Sequence, residues 1–418
     1  MMRKGRVRTM ANLTSLDKRR IWVSALVALF IIGMAFFIYL LSPRSRDTKE
    51  SIKVGFIMDG DESMPYTANF IRAMDGLERE LKDRVEVEAK YNVPGDAVEE
   101  VVAEMAEKGM DLLFFNSYGY EEAAKKAAAA YPKVQICQAT GDNANTSPIL
   151  PNYHTFMGEI YQGRYVAGKV AGLKLKEMIE KGIIDEDKAY VGYVAAYPYA
   201  EVISGFTAFF LGVRSECPTA LMKVRYAHSW GNYTKEREIA DILIAEGCSI
   251  ISQHSDTAGP AVACESYYGE KEVYHVGYNQ DMMDLAPTSS LTGCRIDWSP
   301  YVMAAAEALL SGKKIEESVK GHIHGNDAGA GFLQGWVKMM ELNLAIAPPG
   351  SEEAVNEAIE DFKKGKEQVF KGDYVGVDPA DSGDICELKD GYQENANSSA
   401  PSFHYILKDV IVVEGETR

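Results

Sequence analysis

From Ile52 onward two hydrophobic periods alternate: short apolar runs of strand length, and longer stretches with apolar residues every three or four positions. "IKVGFIMDG" predicts a buried strand ending at Asp59. Tyr66–Lys82 predicts an amphipathic helix, with Phe70, Met74, Leu77 and Leu81 on one face. "VEVEA", "DLLFFNSYGY" and "KVQICQA" predict further strands, with helices over Asp96–Lys108 and "EEAAKKAAAAYP" between them. A polar, Pro-bearing stretch, "TGDNANTSPILPNYH", breaks the rhythm and reads as the first crossing between two lobes. A long helix over Gly158–Lys181 and the strand-to-helix unit "AYVGYVAAYPYAEV" restart it. The clearest unit is Leu221–Asp256: a strand, a helix with Thr234 as its N-cap and Gly247 at its C-cap, then a short buried strand from Ser249. "EVYHVGYNQDMMD" predicts another strand, "SLTGCRIDW" a crossing back, and Pro300–Ser311 a helix. Glu352–Lys364 predicts one more helix before a polar tail.

Strands alternating with helices imply mostly parallel sheets with right-handed crossovers, here an α/β chain of two doubly wound lobes. Ligands of such sheets bind beyond the carboxyl ends of the strands, and clefts between lobes favour them. Polar and aromatic residues gather at those ends: Asn116, Ser117 and Tyr118; His228, Ser229, Trp230 and Asn232; Gln253, His254 and Asp256; Asn279 and Asp281. A Trp and an Asp delivered there suit a flat polar ligand, although a Trp packed beneath a loop gives the same pattern. The expected layout is a basic tail over 1–20, an apolar segment over 21–41 and a linker over 42–51. A first lobe over 52–157, rejoined by 298–345, and a second over 158–297 follow. Residues 346–418 should pack across both lobes.

Charge sharpens this picture. The 418 residues carry a net charge of −17, yet residues 1–20 hold seven basic residues against Asp17. The remaining chain is therefore strongly acidic, which argues against nucleic acid as a partner. Ile21–Leu41 is uncharged and long enough to cross a bilayer core of about 30 Å. The basic flank before it predicts an inward N-terminus and an extracytoplasmic remainder. A cleaved signal peptide is the rival, but no small-residue cleavage site follows the segment, so a retained single-pass anchor is expected. The six Cys are widely spaced with no C-x-x-C, which disfavours zinc; most lie in apolar runs, where buried thiols are the common outcome.

Catalytic and cofactor motifs fall short. "GRYVAGKV" (163–170) lacks the hydroxyl of a phosphate loop and lies in a helical pattern, and "GAGFLQG" (329–335) misplaces the third Gly of a dinucleotide fingerprint. His322-x-His324 has no third metal ligand nearby in sequence. There is no G-x-S-x-G elbow and no H-E-x-x-H. Asp59, Asp256 and Asp281 could meet in a cleft, with nothing to mark one as a general base. Binding without chemistry, and without a cofactor or metal, is the expectation.

"LLFFNSYGY", "YQGRYVAG", "VGYVAAYPYAEVISG", "AHSWGNYTKEREIADILIAEG", "SQHSD" and "VGYNQDM" together resemble the basic membrane protein family over about residues 52–345. These are substrate-binding proteins of ABC importers, and the likeness is greatest to the branch that binds free purine bases such as adenine. The resemblance implies a type I periplasmic-binding fold with three crossings, hinge closure on a ligand, and an ABC permease with its ATPase as partners. It further implies that Trp230 is one wall of a base sandwich and that Asp281 hydrogen-bonds the purine edge. Tyr66, in "MPYTANF", stands where the family carries the Trp of a "GWT" turn. The chain also departs from the family's usual lipoprotein form, since no Cys follows the apolar segment to accept a lipid. A ligand sensor signalling through Ile21–Leu41, a nucleoside binder and a nucleoside-processing enzyme are the alternatives.

Overall fold

In a computed structural model the alternation becomes two seven-stranded sheets. The structure describes Trp22, residues 48–142 and residues 144–414. Apart from Trp22, the expected basic tail, the segment 21–41 and linker residues 42–47 lie outside the described residues. Among the described residues no helix is long and apolar enough to cross a membrane.

In chain order the first lobe comprises β1 (Ile52–Ile57), α1 (Pro65–Leu81), β2 (Val85–Lys90), α2 (Val98–Glu107), β3 (Leu112–Phe115), α3 (Glu121–Ala130), β4 (Gln135–Ala139) and β5 (Tyr153–Gly158). The chain then enters the second lobe through α4 (Tyr161–Glu180) and β6 (Tyr190–Ala195), α5 (Ala200–Glu216), β7 (Leu221–Tyr226), α6 (Tyr233–Ala245), β8 (Ile250–His254), α7 (Gly259–Ser266), β9 (Tyr274–Tyr278) and β10 (Ser290–Ile296). It returns through α8 (Ser299–Leu310), β11 (His322–His324) and β12 (Asp327–Ala330), and crosses again to β13 (Val337–Met339). After α9 (Ser351–Lys363) come β14 (Val375–Val377), β15 (Ile385–Glu387), β16 (Ile406–Leu407) and β17 (Ile411–Val413). The first sheet runs β11-β12-β5-β4-β3-β1-β2 and the second β13-β10-β9-β8-β6-β7-β17. Neighbours are parallel except at the antiparallel edges β11/β12 and β10/β13.

Period-2 alternation sends successive side chains of each central strand into different cores. Leu112 and Phe114 enter one cluster with Phe156, Trp298 and Tyr301, while Leu113 and Phe115 enter another beneath α2 and α3. Helix α4 is buried over most of its surface, Gln162, Arg164 and Lys174 included, because it is packed between α5, α9 and the second sheet. A Cβ at Gly168 would stand 2.0 Å from the Phe209 carbonyl oxygen, so only glycine lets α4 and α5 approach this closely.

Two expectations are corrected. Residues 140–142 and 144–152 belong to a loop of the first lobe and Tyr153 and His154 already lie in β5, so this stretch is not a crossing. Asn152 donates to the carbonyls of Ala128, Tyr131 and Val134 and delivers the chain into β5, so the crossing falls after Gly158. The α6 cap is Asn232, whose side chain accepts from Lys235 N at 3.1 Å, and Thr234 lies inside the helix. The polar tail touches both lobes: Phe370, Leu388, Phe403 and Leu407 enter the second lobe's core, β17 pairs with β7, and the Ser399 hydroxyl donates to Asp327 Oδ1 of β12. All six Cys are free, and five are buried.

Candidate functional site

The carboxyl ends of the two sheets border a cavity with about 410 Å³ of empty space, its open mouth included. The first lobe lines it with Asp59, Tyr66, Ser117, Tyr118 and Thr140, and the second with Glu201, Trp230, His254, Ser255, Asp256, Tyr278 and Asn279. Local bonds set each wall. Asn116 accepts the Asp59 N–H at 3.0 Å, takes the Tyr66 hydroxyl on its carbonyl, and donates to Thr67 Oγ1 at 3.2 Å. In the second lobe the Asp256 N–H donates to the Trp230 carbonyl at 2.7 Å, which couples the two loops. Glu236 fixes them from below by accepting from Asn232 N, Ser255 Oγ and Thr257 Oγ1. Across the cleft, Asn69 Nδ2 donates to the Asn279 carbonyl at 3.0 Å.

Aromatic rings frame the opening. Trp230 lies 5.5 Å from Tyr197 and 6.3 Å from Tyr199, and Tyr118 of the first lobe meets Tyr199 at 5.7 Å. Thr140 and Asn279 both hold left-handed backbone, at φ 57° and 61°. Such strain in non-glycine residues gathers at functional sites.

The interior is polar and unsatisfied. Asp256 is 6% exposed, and its Oδ1 has no hydrogen-bond partner. Burial, then the nearby carboxylates of Asp59 and Glu236, push its pKa well above the usual carboxylate range. Asn279 Nδ2 and both ring nitrogens of His254 are likewise buried without partners; Glu201 Oε1, 3.5 Å from His254 Nε2, is too distant for a good hydrogen bond. Among the described residues, no Lys or Arg lines the cavity.

Of the residues expected from sequence, Tyr66, Ser117, Tyr118, Trp230 and Asp256 line the cavity together. Asn116 is buried behind them as their tether. Asp281 is not a lining residue: it is exposed and its Oδ1 accepts from Met283 N at 2.9 Å. The reason is local, since β9 ends at Tyr278 and the left-handed Asn279 turns the chain, so position 279 faces the cavity instead. Sequence reasoning passed over Thr140, Glu201, Ser255 and Tyr278. It noted Asp59, His254 and Asn279 at strand ends without ranking them above their neighbours. Tyr278 gives no separate signal, because a pocket-facing strand residue has the same alternation as a core one.

The other motifs resolve as structure. Residues 163–170 lie inside α4, not in a phosphate loop. His322 Nδ1 meets Glu159 Oε1 at 2.5 Å, which raises its pKa. Among the described residues, Asp378, Asp384 and His404 of the C-terminal sheet could together ligate a metal, and none of them lines the cavity.

Two α/β lobes opening onto one aromatic, carboxylate-bearing cavity define a two-lobed solute-binding fold. The chain belongs to the family of PnrA-like ABC transporter substrate-binding proteins, whose model matches residues 52–345. It is 32% identical over 293 residues to a purine-binding protein of Brucella abortus, covering 69% of this chain and 75% of that one. It is 31% identical over 262 residues to a Haloferax volcanii protein named, provisionally, as an ABC transporter glucose-binding protein. That match covers 63% of this chain and 59% of the relative. In fold it is similar to an ABC transporter solute-binding protein of Aeropyrum pernix, with a TM-score of 0.61 at 14% identity over 79% of this chain and 94% of that one. Membership implies a small-molecule ligand and an ABC permease as partner.

Proposed function

We propose that this protein captures a purine base, adenine or a close analogue, outside the cytoplasm and delivers it to an ABC permease, anchored by residues 21–41. The observation that carries this reading is the composition of one cavity: aromatic faces from Tyr66, Tyr118, Trp230 and Tyr278 beside buried, unpartnered groups on His254, Asp256 and Asn279. A purine is flat and apolar on its faces and carries donors and acceptors only at its edge. Base–aromatic stacking contributes about 1–3 kcal/mol per base in nucleic-acid-binding proteins. The unpartnered groups would be satisfied by that edge, and their desolvation is a cost the ligand offsets. With no lysine or arginine in the lining, a phosphate has no counter-charge, which favours a base or nucleoside over a nucleotide. The two lobes, with β13 and β17 on the second, would close as two bodies on the ligand.

A second reading has one observation in its favour. Asp59, Glu201 and Asp256 could equally accept sugar hydroxyls, so a nucleoside or a sugar is the competitor. Thermal melting separates them. A hundredfold excess of ligand over Kd stabilises by about 2.7 kcal/mol, so adenine should raise the melting temperature clearly while glucose and amino acids leave it unchanged. A shift with glucose and none with any purine base or nucleoside overturns the assignment. Protease added to intact cells should leave the N-terminus protected and remove the chain beyond residue 42; release of an intact chain starting there would refute the anchor.

A further inference from the structure

Arg164 is fully buried, yet among the described residues no carboxylate pairs with it. It stands near the start of α4, just after the first crossing between the lobes. Nη2 donates to the Gln253 carbonyl at 2.6 Å, while Nε and Nη1 have no partner. Its guanidinium lies 3.9 Å from the centre of the Tyr278 ring. A cation over an aromatic face recovers part of the desolvation cost of a buried charge, but an apolar side chain would fill this space with none. Packing alone is a poor account of an arginine here.

What Arg164 touches is the back of the cavity. Tyr278 lines it, and His254 lines it beside Tyr278, with ring centroids 4.5 Å apart. A Cβ at Gly205 would stand 2.6 Å from His254 Nδ1 and 3.9 Å from Arg164 Nε, so imidazole and guanidinium approach the same bare patch of α5. His254 is faced by Glu201 from α5, Arg164 from α4 and Tyr278 from β9, with Asp59 and Asp256 on the same cavity.

We propose that Arg164 is a positioning residue of the binding site: without touching the ligand, it makes His254 meet the ligand's edge as a neutral imidazole that can accept a hydrogen bond there. This rests, for the ligand, on the purine reading above. Burial does most to hold the His254 pKa down; Glu201 pulls it up, and the Arg164 charge pulls it down again. Without that charge only burial opposes the pull of Glu201 towards the protonated ring, which has two donors and no acceptor. With it, His254 keeps a lone pair for a donor on the purine edge. The Nη2 bond to Gln253 also fixes the residue next to His254.

The test compares the full-length wild type with Arg164→Met and Arg164→Lys. His254 is titrated by NMR without ligand, its signals assigned by their loss in His254→Gln, and adenine affinity is measured from about pH 5 to pH 8. In Arg164→Met the His254 midpoint should rise by about one pH unit or more. One unit below that midpoint only about a tenth of the molecules keep the neutral ring, so adenine affinity should fall about tenfold there and recover at higher pH. Arg164→Lys keeps the charge and should keep the wild-type midpoint and pH profile. An unchanged His254 midpoint in Arg164→Met overturns the proposal, as does an affinity loss of the same size at every pH. Should Arg164→Met not fold, Arg164→Gln, which can still donate to the Gln253 carbonyl, takes its place with the same two outcomes. A wild type that binds no purine refutes the purine reading alone, because the ligand-free titration still decides the role of Arg164.

Discussion

The two walls of the cavity are built on opposite principles. Among the described residues, none of the first lobe's lining residues, Asp59, Tyr66, Ser117, Tyr118 and Thr140, has a buried side-chain atom left without a partner: the Tyr66 hydroxyl donates to the Asn116 carbonyl and Thr140 Oγ1 to that of Ala139. The second lobe's wall is unsatisfied, since His254, Asp256 and Asn279 present buried atoms with no partner. An unsatisfied buried polar group costs free energy that an arriving ligand can offset, whereas a satisfied one contributes mainly shape. Under the proposed function, the second lobe would read the ligand's edge and the first would supply a preformed face over it.

The largest effect should follow from the second wall. Asp256→Ala is expected to weaken the best purine ligand about ten- to a hundredfold, because it leaves a buried polar group of the ligand unsatisfied, at a cost of about 1–3 kcal/mol. Titration calorimetry with adenine, guanine and hypoxanthine should also show their ranking change. The same variant has a pH signature. The folded-state pKa of Asp256 is raised, so the native chain holds that proton more tightly than the unfolded chain. Wild-type stability therefore falls as pH climbs from the ordinary carboxylate range through the raised value. Asp256→Ala lacks that slope, and its melting temperature should gain on the wild type with rising pH; a constant difference would mean the carboxyl is not held protonated.

Trp230→Ala should come next. It removes a stacking face worth about 1–3 kcal/mol and should weaken all three bases by similar factors. A changed ranking from this substitution alone would show that Trp230 reads the edge and would reverse the division of roles. Tyr66→Phe, on the satisfied wall, loses the hydroxyl bond to Asn116 but keeps the ring. It should cost about 0.5–1.5 kcal/mol of folding stability in denaturant melts and leave adenine affinity within a few-fold. A tenfold loss of affinity there would erase the contrast between the walls. The smallest effect is expected at Asp281, which serves a local turn. Asp281→Ala should stay within about 0.5 kcal/mol of wild type in adenine binding, as exposed substitutions do. A tenfold loss would return residue 281 to the site in place of Asn279.

Hydrophobic periodicity is local, and what depended on it could be read from the chain. The β1–α1 and β7–α6–β8 units, the two-lobed α/β class and the gathering of Ser117, Tyr118, Trp230 and Asp256 at strand ends all follow from the alternation of the two periods. Family likeness added Tyr66, which does line the cavity. Decisions that depend on partners far away in sequence stayed hidden. β5 looked like loop because its burial comes from β4 and β12, on either side of it in the first sheet. The tail looked polar because its few buried residues, Phe370, Leu388 and Phe403, find their core in the second lobe. Asp281 was expected at the purine edge from the family resemblance alone, and no local pattern separates it from Asn279. Which of two neighbours faces a cavity is set by one backbone turn, and only the folded chain fixes that turn. Arg164 reads in sequence as one more helical cation; that it lies beneath Tyr278 with no counter-ion is a product of how α4 packs on the sheet.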